Sequence, residues 1–204
     1  MQTTESDLGI QSVESIFKKK GSAYQSMHFN QRIDTPVSGL MTISTNPGSA
    51  TKFSEMINSY TVDKRYLAIC NKVEGIPDSG QFTDYLTKDP KHNKARVSTL
   101  EDPKSKKSII DYTIVAKLDN YFVLDVRLVT GRFHQIRCQL AHRGLWIKDD
   151  VKYGARRSNK NKTIYLHAYR LGFDWKGEQV DEVAPPNLED NLWKVAWEES
   201  GLGR

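Results

Sequence analysis

The chain has 204 residues, enough for one domain by the prior of roughly 100 to 200 residues each, and its 38% hydrophobic and 27% charged residues exclude a disordered polymer. No stretch approaches the ~18 consecutive apolar residues of a bilayer helix. The opening MQTTESDLGI has no basic start or apolar leader, and Cys70 and Cys138 cannot build a disulfide framework, so a cytoplasmic protein with no membrane partner is expected.

In chain order, Ile10, Val13, Ile16 and Phe17 have helical spacing, and the segment stops at Lys18-Lys19-Lys20-Gly21. Val37 to Thr45 reads as a strand, Asn46-Pro47-Gly48 as a break, Lys52 to Asn58 as a short helix, and Lys64 to Lys72 as a second strand. Thr87 to Lys107 is polar and basic and is expected to be an exposed excursion with little core. Asp111 to Lys117, Asp119-Asn120 and Tyr121 to Val129 form a predicted β-hairpin, with Phe122, Leu124, Val126 and Leu128 on one face. Thr130 is the expected N-cap of a helix from about Gly131 to Arg143, closed by Gly144. A basic loop over Lys152 to Lys162 precedes a strand from Thr163 to Trp175, and an Asn187-capped helix runs toward Glu199. Strands outnumber helices, which gives an α+β class with a mixed, mostly antiparallel sheet and flanking helices and loops.

Charge is uneven. Residues 1–173 hold 27 Lys+Arg against 17 Asp+Glu, and residues 174–204 hold 3 against 8, so the body attracts phosphate backbones and the tail does not. Two segments could carry chemistry. In Leu128-Val129-Thr130-Gly131-Arg132-Phe133-His134-Gln135-Ile136-Arg137, the guanidinium groups and the Gln135 amide suit a phosphate or carboxylate, although the segment taken alone reads first as a polar helix start with two surface arginines. In Gln31-Arg32-Ile33-Asp34-Thr35-Pro36, Asp34 is a turn residue by default and a nucleophile or base if a guanidinium lies beside it and keeps it ionised. His134, Cys138 and His142 repeat every four residues without a second ligand cluster, so no metal is expected; without a Walker or Gly-x-Gly-x-x-Gly loop, no cofactor is expected either.

Taken together, Arg32 to Leu40, Lys64-Arg65-Tyr66-Leu67-Ala68, Leu128 to Arg137, Asp150-Val151-Lys152-Tyr153-Gly154 and Leu166-His167-Ala168 resemble, in that order, the RluA-type family of RNA pseudouridine synthases over roughly residues 30 to 175. The resemblance implies the pseudouridine synthase fold and a cofactor-free isomerisation, in which a uridine of ribosomal or transfer RNA is detached at its glycosidic nitrogen, turned and rejoined through carbon 5. Asp34 matches the essential aspartate of that family, Tyr66 the tyrosine that packs on the target base and helps remove the carbon 5 proton, and Arg137 the partner of the aspartate. Arg32, Arg132, His134, Gln135 and Leu166 are the expected substrate-binding residues. The chain departs from the family at Gln31, where histidine is common, at Thr35-Pro36-Val37, where small polar residues are usual, and at Asp149, where glycine is usual. A single catalytic domain over 1–204 is expected, without the opening Lys-Pro-x-Gly strand of such domains or an S4-like domain, as a monomer. Two other readings are a catalytically silent RNA-binding module of the same fold and a different phosphate-binding enzyme built on Arg132 and Arg137.

Overall fold

The computed structural model describes residues 26–203 together with Val13, Phe17 and Lys19, all three of them helical, so most of the first expected helix lies outside the described residues. The elements are β1 (His28–Phe29), β2 (Ser38–Gly39), β3 (Ile43–Ser44), α1 (Pro47–Asn58), β4 (Asp63–Asn71), β5 (Ser79–Asp89), β6 (Lys94–Ser98), β7 (Lys106–Lys117), β8 (Tyr121–Leu128), α2 (Gln135–His142), a 3-10 turn at Val151–Tyr153, β9 (Leu166–Trp175), β10 (Glu178–Val183) and α3 (Asn191–Ser200). The main sheet runs β10-β9-β4-β8-β7-β5-β6, antiparallel throughout, and β2 adds to β9 in parallel. The α+β class and mixed sheet are therefore as expected.

At the centre, β4 buries Leu67, Ala68, Ile69 and Cys70 in succession, so both of its faces are covered. Val123, Leu124 and Val126 of β8 join this core, as do Ile136 and Leu140 of α2 and Trp193 and Ala196 of α3. Both cysteines are buried and unbonded to each other. Among the described residues no helix is long and apolar enough to cross a membrane.

Several expected elements differ. The predicted Val37 to Thr45 strand is two short strands serving different partners: β2 pairs with β9 and β3 with β1. The Asn46-Pro47 break is the start of α1, with Asn46 Oδ1 accepting the Ser49 N–H at 2.9 Å and Pro47 in the first turn, where a missing N–H costs nothing. The Thr87 to Lys107 excursion belongs to the sheet. It completes β5, turns at Asn93 and returns as β6, and Leu86 and Ala95 bury against Cys138 of α2. Within the segment only Ala95, Val97 and Leu100 are apolar, too few to show a periodicity. Thr130 does not cap α2, whose N-cap position is His134; the Thr130 hydroxyl instead accepts the Ile109 N–H at 2.8 Å and donates to Gln135 Oε1 at 2.9 Å. Asp190 rather than Asn187 caps α3, accepting the N–H groups of Leu192 and Trp193. Strand β10, unforeseen, is acidic and lies on the sheet edge; its signal was Lys176-Gly177, both at positive φ (58° and 90°), a tight hairpin turn.

One close approach positions the functional segment. Gly39 of β2 has φ 124°, and a Cβ there would run into the Ala168 carbonyl oxygen, so only glycine lets this segment lie on β9. Gly39→Ala is expected to cost ~2 kcal/mol or more, from left-handed strain plus the clash. Urea denaturation of the variant checks it, and an unchanged midpoint would show that the segment is not seated on β9.

Candidate active site

A single cavity of about 450 Å³ gathers all the residues singled out from the sequence: Arg32, Asp34, Tyr66, Arg132, His134, Gln135, Arg137 and Leu166 all line it. Its size falls within the range of ligand pockets, roughly 300 to 1,000 Å³. Besides Gln135, Ile136 and Arg137 of α2, several pieces of chain build it. The Asp34 to Val37 turn, closed by the Val37 N–H on the Asp34 carbonyl at 2.9 Å, presents the carboxylate from one side. Lys64 and Tyr66 come from β4, two residues apart and so on one face of the strand. The register of β4 against β9 shifts between Arg65 and Tyr66 because β9 carries an extra residue, Tyr169, at that point, while the pairing of β4 with β8 stays regular through Tyr66. The loop after β8 supplies Gly131 to His134, and the start of β9 supplies Leu166.

Arg137 is the pivot. Its Nε and Nη2 donate to the two oxygens of Asp150 at 2.7 and 2.8 Å, and its Nη1 donates to Asp34 Oδ2 at 3.1 Å. The planar guanidinium is thus fixed by a fork to a carboxylate only 1% exposed and extends its remaining edge to Asp34. The pairing of Asp34 with Arg137 matches expectation. The structure corrects the idea that Arg132 and Arg137 act together as a phosphate clamp, because Arg137 is buried and committed to two carboxylates.

Gln135, expected at the substrate, has its amide fully occupied within the protein. Its Oε1 accepts from Thr130 Oγ1 and the Arg132 N–H, both at 2.9 Å, and its Nε2 donates to the Ile109 carbonyl and Gln139 Oε1, both at 3.0 Å. It shapes the loop. Arg32 and Arg132 are exposed, line the cavity and form no ion pair among the described residues. Leu166 is buried and supplies apolar wall.

Three further residues of the site had no role assigned from sequence. Lys64 is buried in the cavity wall with no carboxylate partner among the described residues, and burial lowers its pKa. Asp150 anchors Arg137. Tyr153 Oη accepts the Ala95 N–H at 2.7 Å and lies 2.9 Å from His134 Nδ1, while its ring lies 5.0 Å from the Arg137 guanidinium carbon. Donation by that hydroxyl to Nδ1 leaves the proton on Nε2, which faces Asp34 Oδ2 at 3.7 Å. Asp150 and Tyr153 stand in one short run ending in Gly154, and that juxtaposition was the signal; Gly154 has φ 114° with the Trp146 ring against it.

Electrostatics set the protonation states. Burial lifts the Asp34 carboxyl above its ordinary value, against the lowering pull of Arg137, because the Arg137 charge is shared with Asp150, which itself raises Asp34 further. His134 is pulled down to about 3 by burial and by Arg137, Lys152 and Lys88, so it is neutral at physiological pH. Burial and then Asp34 push the Tyr66 phenol well above its ordinary value, so it keeps its proton. Among the described residues no cluster of His, Cys, Asp or Glu could hold a metal ion.

Residues 2–142 match the family model described as RNA pseudouridylate synthase. Among curated relatives, ribosomal large subunit pseudouridine synthase C of Rickettsia bellii is 28% identical over 190 residues, covering 91% of this chain and 60% of the relative. Ribosomal large subunit pseudouridine synthase D of Zymomonas mobilis is 26% identical over 160 residues, 74% of this chain and 50% of the relative. The chain thus spans about half the length of the curated relatives it matches. The solved structure of human RNA pseudouridylate synthase domain containing 4 superposes with a TM-score of 0.67 at 19% identity, over 86% of this chain and 76% of that one, which shows the fold.

Removing the anchor should cost far more than removing the group it holds. Asp150→Ala is expected to lower the unfolding free energy by ~3 to 5 kcal/mol, the usual result of leaving one member of a buried ion pair uncompensated. Asp34→Asn should instead raise the denaturation midpoint at pH 7. A carboxyl whose folded pKa is raised binds its proton more tightly when folded, so its stabilising contribution is present below the unfolded pKa and is lost as pH rises through the folded one. The gain of the Asn variant should accordingly vanish on acidification below the ordinary carboxylate range, as urea titrations at several pH values would show.

Proposed function

The chain belongs to the RNA pseudouridylate synthase family, and from that premise we propose that it isomerises a uridine of ribosomal or transfer RNA to pseudouridine, using Asp34, Tyr66 and Arg137 and no cofactor. The names of the bacterial relatives favour ribosomal RNA. The observation that carries the reading is a carboxylate held by a buried guanidinium inside a cavity whose free cations, Arg32, Arg132 and Lys64, suit a polyanion.

A uridine stacked in a helix cannot have its glycosidic bond rearranged, so it is flipped into the cavity, where the Tyr66 ring receives the base and Leu166 closes the apolar side. Asp34 acts on the target nucleotide at the sugar or the base, where a carboxylate can trap or stabilise an electron-poor centre. Arg137 fixes its direction. Rejoining through carbon 5 leaves one proton to be removed from that carbon while the former glycosidic nitrogen gains one. Because the Tyr66 phenol stays protonated, it takes the carbon 5 proton only as it passes its own on. Arg132 and Arg32 hold backbone phosphate at the mouth, and His134 offers a neutral imidazole edge beside Asp34.

Asp34→Asn is expected to reduce pseudouridine formation in unmodified ribosomal or transfer RNA to background while RNA binding persists, since affinity comes from cations. Undiminished yield would remove the aspartate from the chemistry, and loss of yield in every variant and in the wild type would favour a silent RNA-binding module. Tyr66→Phe should slow turnover with little change in RNA affinity, whereas Tyr66→Ala should also weaken binding, by ~1 to 3 kcal/mol for a missing base-to-aromatic stack.

The pH dependence follows from the same groups. If ionised Asp34 is the working form, single-turnover rate rises with pH, and its midpoint lies above the ordinary carboxylate value because burial raises that pKa. No limb from His134 should appear between pH 5 and 8, because its pKa lies at about 3, so His134→Gln should leave the shape of the profile unchanged. A limb near pH 6.5 that disappears in this variant would contradict the neutral imidazole.

A further inference from the structure

A second hollow, of about 280 Å³, opens beside the main cavity and shares Gly131, Arg132 and Phe133 with it. Its wall carries Lys88, Lys104, Lys106 and Arg132 and no acidic residue. Among the described residues none of these four cations forms an ion pair, although other cations do: Arg96 of β6 with Asp102, Lys117 at the far end of β7 with Asp78, and Arg143 after α2 with Asp84. Unpaired cations converging on one concavity repel one another, and an anion seated between them relieves that repulsion. The partition between the two hollows is Phe133, 38% exposed, with His134 stacked on it at 3.8 Å between centroids and the Lys88 ammonium 4.9 Å from its ring centre. Lys88 comes from β5, Lys104 from the β6–β7 connection and Lys106 from the start of β7, so this site exists only because the 87–107 segment folds back onto the sheet.

We propose that this hollow holds the phosphodiester backbone of the nucleotides adjoining the target uridine on one side, turning the strand at Phe133 as the target base enters the main cavity. The inference rests on the reading that RNA occupies that cavity. The hollow is smaller than pockets that enclose a drug-sized ligand, roughly 300 Å³ and above, which favours phosphates over a second buried nucleotide. Phe133 is held between an imidazole and an ammonium, so it acts as a wall at the turn and not as a free stacking platform.

The test is the salt dependence of binding to a fluorescently labelled nine-residue oligouridylate, read by anisotropy. Combining Lys88→Ala, Lys104→Ala and Lys106→Ala, all exposed side chains whose removal leaves the core intact, is expected to reduce the slope of log affinity against log salt by ~2, at ~0.7 for each single-strand phosphate that is no longer neutralised. A control combining Lys72→Ala, Lys117→Ala and Lys194→Ala, which removes the same charge from side chains lining neither hollow, should keep the wild-type slope. Equal slopes for all three proteins, or an equal fall in the control, would overturn the proposal. Pseudouridine formation by the wild type, measured on unmodified ribosomal RNA, separates the two readings: activity with an unchanged triple-variant slope leaves the isomerase and removes the phosphate site, and a fall in slope without wild-type activity does the reverse.

Discussion

Arg137 has five N–H donors, and the fold directs two of them into a carboxylate sealed from water, that of Asp150, before a third reaches Asp34. Burying such a pair is costly unless the geometry is good, and the fork meets that condition. What results is a guanidinium with little freedom to rotate, so the position of Asp34 depends on the α2 helix and the loop after it, 103 residues away in sequence. Because Asp150 already neutralises most of the arginine, Asp34 is held without being fully compensated, and burial dominates its protonation. The same arrangement that orients the carboxylate also keeps it a stronger base than a free one.

Around this pivot, the site depends on positions where backbone conformation is unusual. His134 stands at φ 51° just ahead of α2, and Asp149, at φ 67°, occupies the place where the resemblance leads one to expect glycine. Both lie within three residues in sequence of an arm of the Arg137 network, His134 ahead of Arg137 and Asp149 ahead of Asp150. Aspartate tolerates the left-handed region better than most residues, and Lys148 pairs with it at 2.9 Å, so a departure that looks disruptive in sequence keeps the same backbone course. Local strain of this kind is common where side chains must be aimed.

A second chain of contacts links the site to the outer sheet. The Ala95 N–H of β6 donates to the Tyr153 hydroxyl, which meets His134 Nδ1 at 2.9 Å, and His134 Nε2 faces Asp34 at 3.7 Å, so the hairpin formed by β5 and β6 bears on the imidazole facing the carboxylate. The basic side chains of the same region frame the hollow next to Phe133. One hairpin thus serves orientation within the site and charge at its rim.

Read alone, the amino-acid chain carries the fold class, the β7–β8 hairpin and the strand at β4, because these are local signals of alternation and a two-residue turn, while Asp34, Tyr66 and Arg137, which line one cavity, are singled out by the resemblance that their motifs bear to a known family. Packing settles the rest. Asp150 looks in sequence like any aspartate at a turn, and only its burial against Arg137 makes it an anchor. Lys64 and Tyr153 acquire meaning from what surrounds them, and Gln135, chemically suited to a ligand, is consumed by its near neighbours Thr130 and Gln139 and by the Ile109 carbonyl, which lies next to it only after the sheet and α2 have packed. The 87–107 segment reads as solvated because its charges outnumber its apolar side chains, yet backbone pairing of β5 with β6 and the burial of Ala95 beside Leu86 hold it on the sheet. Pairing between strands and the pKa of a buried carboxylate are sums over neighbours distant in sequence, so no window of the chain contains them.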